Sequence, residues 1–115
     1  MKHVVMGLVG VLAFGLAAAT ASAQDAKIEK GIKVYADQKC AMCHAIAGKG
    51  NVKGSLDGVG TKLSVREIRE WILDPVAMTA KTKAERKPLM TNKYTALPED
   101  DLDALVAYMV SLKKK

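Results

Sequence analysis

Cys40-Ala41-Met42-Cys43-His44 is the most informative part of this chain of 115 residues. Two thiols separated by two residues, with a histidine directly after the second, form the attachment pattern of a c-type haem. Each thiol can form a thioether with one vinyl group of the porphyrin, and the adjacent imidazole is then held beneath the iron. We therefore expect one haem c, attached covalently through Cys40 and Cys43, with His44 as the proximal ligand of the iron.

Other uses of the two cysteines fit the sequence less well. A disulfide between Cys40 and Cys43 would close a very small loop and constrain little of the chain. A thioredoxin-like redox pair belongs beside a βαβ unit, and no strand pattern surrounds this motif. A zinc site needs a further ligand cluster, and residues 24–115 contain no third cysteine and no histidine besides His44.

Residues 1–23 are predicted to be a signal peptide that is cleaved on export. Residues 1–3 form a short basic start, residues 4–19 are almost entirely apolar or small, and Ala21-Ser22-Ala23 has the small-x-small form of a cleavage site. The apolar run is shorter than the roughly 18 residues of a confident membrane span. An uncleaved tether stays open as an alternative, and residues 24–115 are expected to form the single functional domain.

The size and charge of this domain restrict its function. Its core is marginal by itself, and a covalent haem would add a large apolar body to it. The net charge of +6 falls by one without residues 1–23, which hold one lysine and no acid. The positive charge serves either solubility or the docking of acidic redox partners. Nucleic acid is not an expected partner, because the chain has no aromatic platform and no recognisable binding motif.

The first predicted helix covers residues 25–39. Ile28, Ile32 and Tyr35 fall on one face at helical spacing. Gly31 lies beside them, and a glycine inside a helix costs about 1 kcal/mol relative to alanine. We therefore expect Gly31 to permit the close approach of another element.

Two further helices are predicted, separated by a loop. Residues 64–67, Ser-Val-Arg-Glu, have the form of a capping box, and Asp74-Pro75 ends the helix that they open. Residues 76–95 are rich in lysine without sustained periodicity, which predicts a loop with at most one short turn. The last helix starts at Pro98, since proline suits the first helical position. Its apolar face consists of Leu102, Leu105, Val106, Met109 and Leu112.

Over nearly all of residues 26–113 the chain resembles a bacterial class I cytochrome c. The resemblance is carried by Gly31-x-x-x-Tyr35 before the haem motif and by Leu105-Val106-Ala107-Tyr108 in the last helix. It implies an all-α fold, the small cytochrome c fold, with three main helices plus loops wrapped around one covalent haem and a close crossing of the first and last helices. It also implies that the carbonyl of Ser55, a position that proline often occupies, accepts a hydrogen bond from the proximal histidine.

The identity of the sixth ligand of the iron distinguishes an electron carrier from a haem enzyme. A second histidine is not available, because His3 leaves with the predicted signal peptide. The soft candidates are methionines, of which Met42 is tied to the attachment loop and Met109 fits the apolar face of the last helix. Met78 and Met90 remain.

The resemblance favours Met90, because Met90 lies shortly before the last helix, as the family's axial methionine does. Lys87 or Lys93 is an alternative ligand only where its amine is deprotonated, and at neutral pH these amines are mostly protonated. Methionine ligation closes the coordination shell and raises the reduction potential, which favours one-electron transfer over substrate chemistry. Trp71 and Tyr94 are expected either to line the haem or to serve the core.

The expected function is that of a periplasmic monohaem c-type cytochrome, which carries single electrons between redox enzymes and is not itself an enzyme. Its partners are expected to be redox proteins with acidic docking surfaces, and membranes only through electron-transfer complexes. Two alternatives stay open. One is a haem enzyme or gas sensor with a labile sixth position, and the other is a cytochrome subunit docked to a larger oxidoreductase.

Overall fold

The computed structural model describes residues 22–114, and these contain five α-helices and one small sheet. The first helix, α1, covers residues 22–37. The others are α2 (Val59–Lys62), α3 (Val65–Leu73), α4 (Pro75–Thr82) and α5 (Glu99–Ser111). Residues 1–21, nearly all of the predicted signal peptide, lie outside the described residues. None of the described helices is long and apolar enough to cross a membrane.

Helices α1 and α5 cross at Gly31. A Cβ atom on Gly31 would lie 2.1 Å from the carbonyl oxygen of Ala104 and 2.7 Å from Cβ of Tyr108, so no other residue fits there without a shift. Beside this contact the rings of Tyr35 and Tyr108 meet edge to face, with centroids 5.8 Å apart. The close approach predicted for Gly31 is confirmed.

The predicted apolar face of α1 was wrong at Ile32. This side chain is 46 % exposed, whereas Val34 is only 6 % exposed. The buried face is centred on Gly31, and each helical residue is turned by about 100° from the one before it. Ile32 therefore points away from the crossing, and Val34 together with Tyr35 completes the face.

Helix α3 begins and ends as the sequence predicts. The Ser64 hydroxyl accepts a hydrogen bond from the Glu67 backbone N–H (3.1 Å), and the Glu67 carboxylate accepts one from the Ser64 backbone N–H (3.0 Å). This reciprocal pair is the predicted capping box. Asp74 then closes the helix before Pro75.

The prediction of a loop over residues 76–95 was wrong for its first third, which forms α4. Pro75 stops α3, yet it also starts the next helix, since its fixed φ and missing N–H suit a first helical position. The Asp74 side chain caps α4 by accepting a hydrogen bond from the Ala77 backbone N–H at 3.2 Å. Met78 is consequently held in a helix.

The core lies where α3 and α5 face each other. Arg69 of α3 ties them at the rim by donating to Asp103 at 2.9 Å and to Glu99. A strand pair that the sequence did not predict, Ala45–Ile46 (β1) antiparallel to Lys49–Gly50 (β2), follows the haem motif, with Ala45 opposite Gly50. The buried cluster consists of Val34, Ile68, Ile72, Tyr94, Leu102, Leu105, Val106 and Met109.

Candidate haem site

The haem motif folds into a single 3₁₀ turn, Cys40–Met42. The backbone N–H groups of Cys43 and His44 both donate to the carbonyl of Cys40, at 3.1 and 3.0 Å. The turn therefore brings the two cysteines close together, and both line the same cavity. Burial raises the pKa of the Cys40 thiol, which keeps it protonated at neutral pH.

Two adjoining cavities open beside this turn and form one cleft, since they share five lining residues. The core-side cavity has a volume of about 230 Å³ and the loop-side cavity, beside residues 84–94, about 370 Å³. The shared residues are Cys40, His44, Trp71, Met90 and Tyr94. The core-side walls are almost wholly apolar and include Leu56, Val59, Leu63, Ile68, Ile72 and Leu105.

The His44 imidazole is prepared to bind a metal through Nε2. Its Nδ1 lies 3.0 Å from the carbonyl oxygen of Gly54. A carbonyl only accepts, so Nδ1 carries the proton and Nε2 keeps the lone pair that a metal needs. Burial lowers the pKa of His44, the hydrogen bond to Gly54 opposes this, and the Arg86 guanidinium lowers the pKa further. The neutral imidazole is the form that acts as a ligand.

The carbonyl that orients His44 belongs to Gly54, and the expectation of Ser55 was wrong by one residue. Gly54 is buried where the loop closes on the motif, and a Cβ atom there would lie 2.1 Å from the Cys43 carbonyl oxygen. Only a residue without a side chain brings its carbonyl so near. The Ser55 hydroxyl instead accepts a hydrogen bond from the Asp57 backbone N–H at 3.2 Å.

The four candidate methionines differ in their relation to the cleft. Met90 lines both cavities, whereas Met78 is 6 % exposed inside α4 and lines neither. Met109 lines the core-side cavity from within the buried cluster of α5. Met42 is 72 % exposed and lines only the loop-side cavity. Among the described methionines, Met90 alone combines access to the whole cleft with a place outside the helical core.

The aromatic residues and one arginine complete the cleft. Trp71 and Tyr94 line both cavities, and Tyr94 also belongs to the buried cluster, so it serves the cleft and the core together. Arg86 lines the loop-side cavity and donates through Nη2 to the Cys43 carbonyl at 2.7 Å. The sequence analysis did not identify Arg86 as a residue of the site, because no local pattern signals a contact between residues 43 positions apart.

The cleft fits a haem. Large cofactors bind in apolar, concave sites of several hundred Å³ with a few placed polar groups. Here apolar walls enclose a neutral imidazole with a free Nε2, and two thiols lie at the same edge. His44 and Met90 are the candidates to ligate the iron of a bound haem, and Cys40 and Cys43 would hold the haem covalently.

Comparison with known proteins places the chain among haem proteins. Residues 28–113 match the family model described as cytochrome c. The chain is 30 % identical over 113 residues to cytochrome c-553 of Helicobacter pylori, covering 98 % of this chain and 100 % of that protein. It is 25 % identical over 111 residues to cytochrome c oxidase subunit 2 of Alkalihalophilus pseudofirmus, covering 86 % of this chain and only 30 % of that subunit. No solved structure matches the chain significantly.

The match to the family model runs from residue 28, within α1, to the end of α5, and the c-553 similarity spans both proteins almost completely. The helical fold and the cysteine spacing agree with both findings. The chain belongs to the cytochrome c family, and its cofactor is a covalently bound haem c.

Proposed function

We propose that this cytochrome is an exported, periplasmic carrier of single electrons, with one haem attached through Cys40 and Cys43 and ligated by His44 and Met90. The observation that supports it best is the placement of His44 and Met90, which line both cavities of a cleft that also holds the two cysteines. Its similarity to a whole cytochrome c-553 supports a carrier that acts as a separate protein.

The surrounding residues favour electron transfer over substrate chemistry. A haem supplies a one-electron iron couple, whose potential is tuned by axial ligands and burial. The hydrogen bond from His44 to Gly54 fixes the ring and its tautomer. Met90 would occupy the position that a substrate or gas needs.

Covalent attachment is tested on the protein expressed with a haem-attachment system. After denaturation, the wild-type chain should keep its haem, and Cys40→Ser and Cys43→Ser should each lose one thioether. Loss of all haem from the denatured wild type would contradict the proposal. Rapid binding of carbon monoxide by the reduced wild type at neutral pH would favour a haem enzyme or sensor instead.

We further propose that acidic redox partners dock at the mouth of the loop-side cavity. Met42 and Leu89 are exposed there, and Lys39 and Lys93 line the same cavity. An apolar centre with a cationic rim suits a transient partner with acidic groups around its own redox centre. Electron transfer to such a partner should slow as salt is added, because salt screens these charges. Lys93→Glu should slow electron transfer to the partner more than Lys27→Glu, which makes the same charge change at an exposed position of α1.

A subunit docked to a larger oxidoreductase is the second candidate. It is favoured by the similarity to part of a cytochrome c oxidase subunit. Purification of the native protein from its membranes at low and high salt separates the two. A free carrier separates from its partners at high salt, whereas a docked subunit is recovered with its complex at both salt concentrations.

A further inference from the structure

Met90 lies in a segment with little backbone support. Residues 83–98 connect α4 to α5 without a helix or strand. Their backbone hydrogen bonds lie near the two ends of the segment. The Ala84 N–H donates to the Thr79 carbonyl, and the Leu97 N–H donates to the Tyr94 carbonyl. Among the described residues, no backbone–backbone hydrogen bond holds residues 85–91, the stretch that contains Met90. The position of Met90 therefore depends on side chains.

Two side chains anchor this segment, one on each side of Met90. Arg86, four residues before it, donates from Nη2 to the Cys43 carbonyl at 2.7 Å. Asn92, two residues after it, contacts the junction of α3 and α4. It donates to the Asp74 carboxylate at 3.2 Å and accepts from the Val76 backbone N–H at 3.3 Å.

Of the two anchors, Arg86 is the one that contacts the haem motif itself. Cys43 is adjacent to His44, so the hydrogen bond joins the segment of one proposed axial ligand to that of the other. The guanidinium also lies over Gly54, with Cζ 2.8 Å from the place where a Cβ atom would be. The absence of a side chain at Gly54 thus makes room for Arg86 next to the carbonyl that orients His44.

We propose that Arg86 is a positioning residue that fastens the Met90 segment to the haem motif and so slows the replacement of Met90 by external ligands. This inference rests on the proposed ligation by His44 and Met90. A charge-assisted hydrogen bond made by a half-buried guanidinium is stronger than one between neutral groups. Lysine does not replace it fully, because an ammonium lacks the planar fork, which here donates to the Cys43 carbonyl while its central carbon lies beside Gly54.

The test is the rate at which imidazole displaces the sixth ligand of the oxidised holoprotein, followed by stopped-flow absorbance. Arg86→Met should raise this rate about tenfold, the factor that corresponds to the loss of one charged hydrogen bond. Arg86→Lys should give an intermediate rate. Arg66→Met, which removes an equal charge from an exposed pair with Glu70 on α3, should leave the rate unchanged.

The outcomes separate this inference from the proposed function. Wild-type rates in both folded Arg86 variants, with fast exchange in Met90→Ala, would overturn the role of Arg86 alone. A wild-type rate in Met90→Ala would overturn the ligand assignment and the inference together. Circular dichroism and covalent haem content verify the fold. If Arg86→Met does not fold, Arg86→Lys carries the test, and a wild-type rate in it then overturns the role.

Discussion

The imidazole of His44 and the carbonyl of Gly54 are 3.0 Å apart, across a loop that only glycine allows to close. Gly54→Ala should force the loop away from Cys43 and lengthen this hydrogen bond. We expect the free energy of unfolding of the holoprotein to fall by about 1–3 kcal/mol, as for other overpacked buried positions. Denaturant unfolding measures it.

The matched control is Ser55→Ala, which removes only an exposed hydroxyl and should change stability by less than about 0.5 kcal/mol. If Ser55→Ala were the more damaging of the two, the close approach of the loop to Cys43 at Gly54 would be contradicted.

The crossing of α1 and α5 should also be destabilised when one methyl group is added at Gly31. Gly31→Ala would place Cβ 2.1 Å from the Ala104 carbonyl oxygen, so the helices must separate. A loss of about 1–3 kcal/mol in the free energy of unfolding is expected. Ile32→Ala, at the exposed neighbouring position, should have little effect, and equal losses in the two variants would argue against the crossing.

Tyr35 carries a buried hydroxyl with no hydrogen-bond partner among the described residues. Tyr35→Phe should therefore leave the protein equally stable or more stable by about 1 kcal/mol, since an unsatisfied polar group is removed. Thermal unfolding of the two holoproteins compares them. A clear loss of stability in Tyr35→Phe would mean that the hydroxyl has a partner in the holoprotein.

Tyr35 should also make the stability of the wild type differ from that of Tyr35→Phe at alkaline pH. Burial is the main cause that raises the pKa of Tyr35 from an ordinary 10.0 to about 12. Between these values the unfolded chain loses the tyrosine proton while the folded chain keeps it. Stability from the neutral phenol is thus complete below pH 10 and declines above it. Tyr35→Phe should lose less stability than the wild type over this range, and parallel curves would contradict the prediction.

Arg69 should contribute a small, salt-dependent stabilisation to the packing of α3 on α5. It bonds Asp103 and Glu99 across the two helices, but its side chain is about one third exposed. We expect Arg69→Met to cost about 1 kcal/mol at low salt and less at high salt. Arg66→Met, within an i,i+4 pair on α3 alone, should cost less, and the reverse order would contradict a link between the helices.

Local signals in the sequence were sufficient for the haem motif, the capping box of α3 and the buried face of α5. Each depends on residues within a few positions of one another. The same kind of signal misled at Pro75, where proline stops one helix and starts the next. It also misled at Ile32, because the face of α1 is set by where Gly31 touches α5, which periodicity alone does not show.

The details of the site depended on contacts between distant parts of the chain. His44 bonds the carbonyl of Gly54 and not that of Ser55 because of how closely the loop approaches Cys43. A shift of one residue along the loop does not change its composition, so the sequence does not reveal it. The contact of Arg86 with Cys43 is likewise invisible to any local pattern. The resemblance to cytochromes c supplied Met90, and the structure adds that Met90 lines both cavities.

Proton NMR of the reduced protein shows directly whether Met90 ligates the iron. A methionine methyl group bound to the iron lies over the porphyrin, whose ring current moves its resonance far upfield. The wild type and Met78→Ala should show this resonance, and Met90→Ala should lack it and bind carbon monoxide rapidly. Persistence of the resonance in Met90→Ala, or its loss in Met78→Ala alone, would show that Met90 is not the ligand.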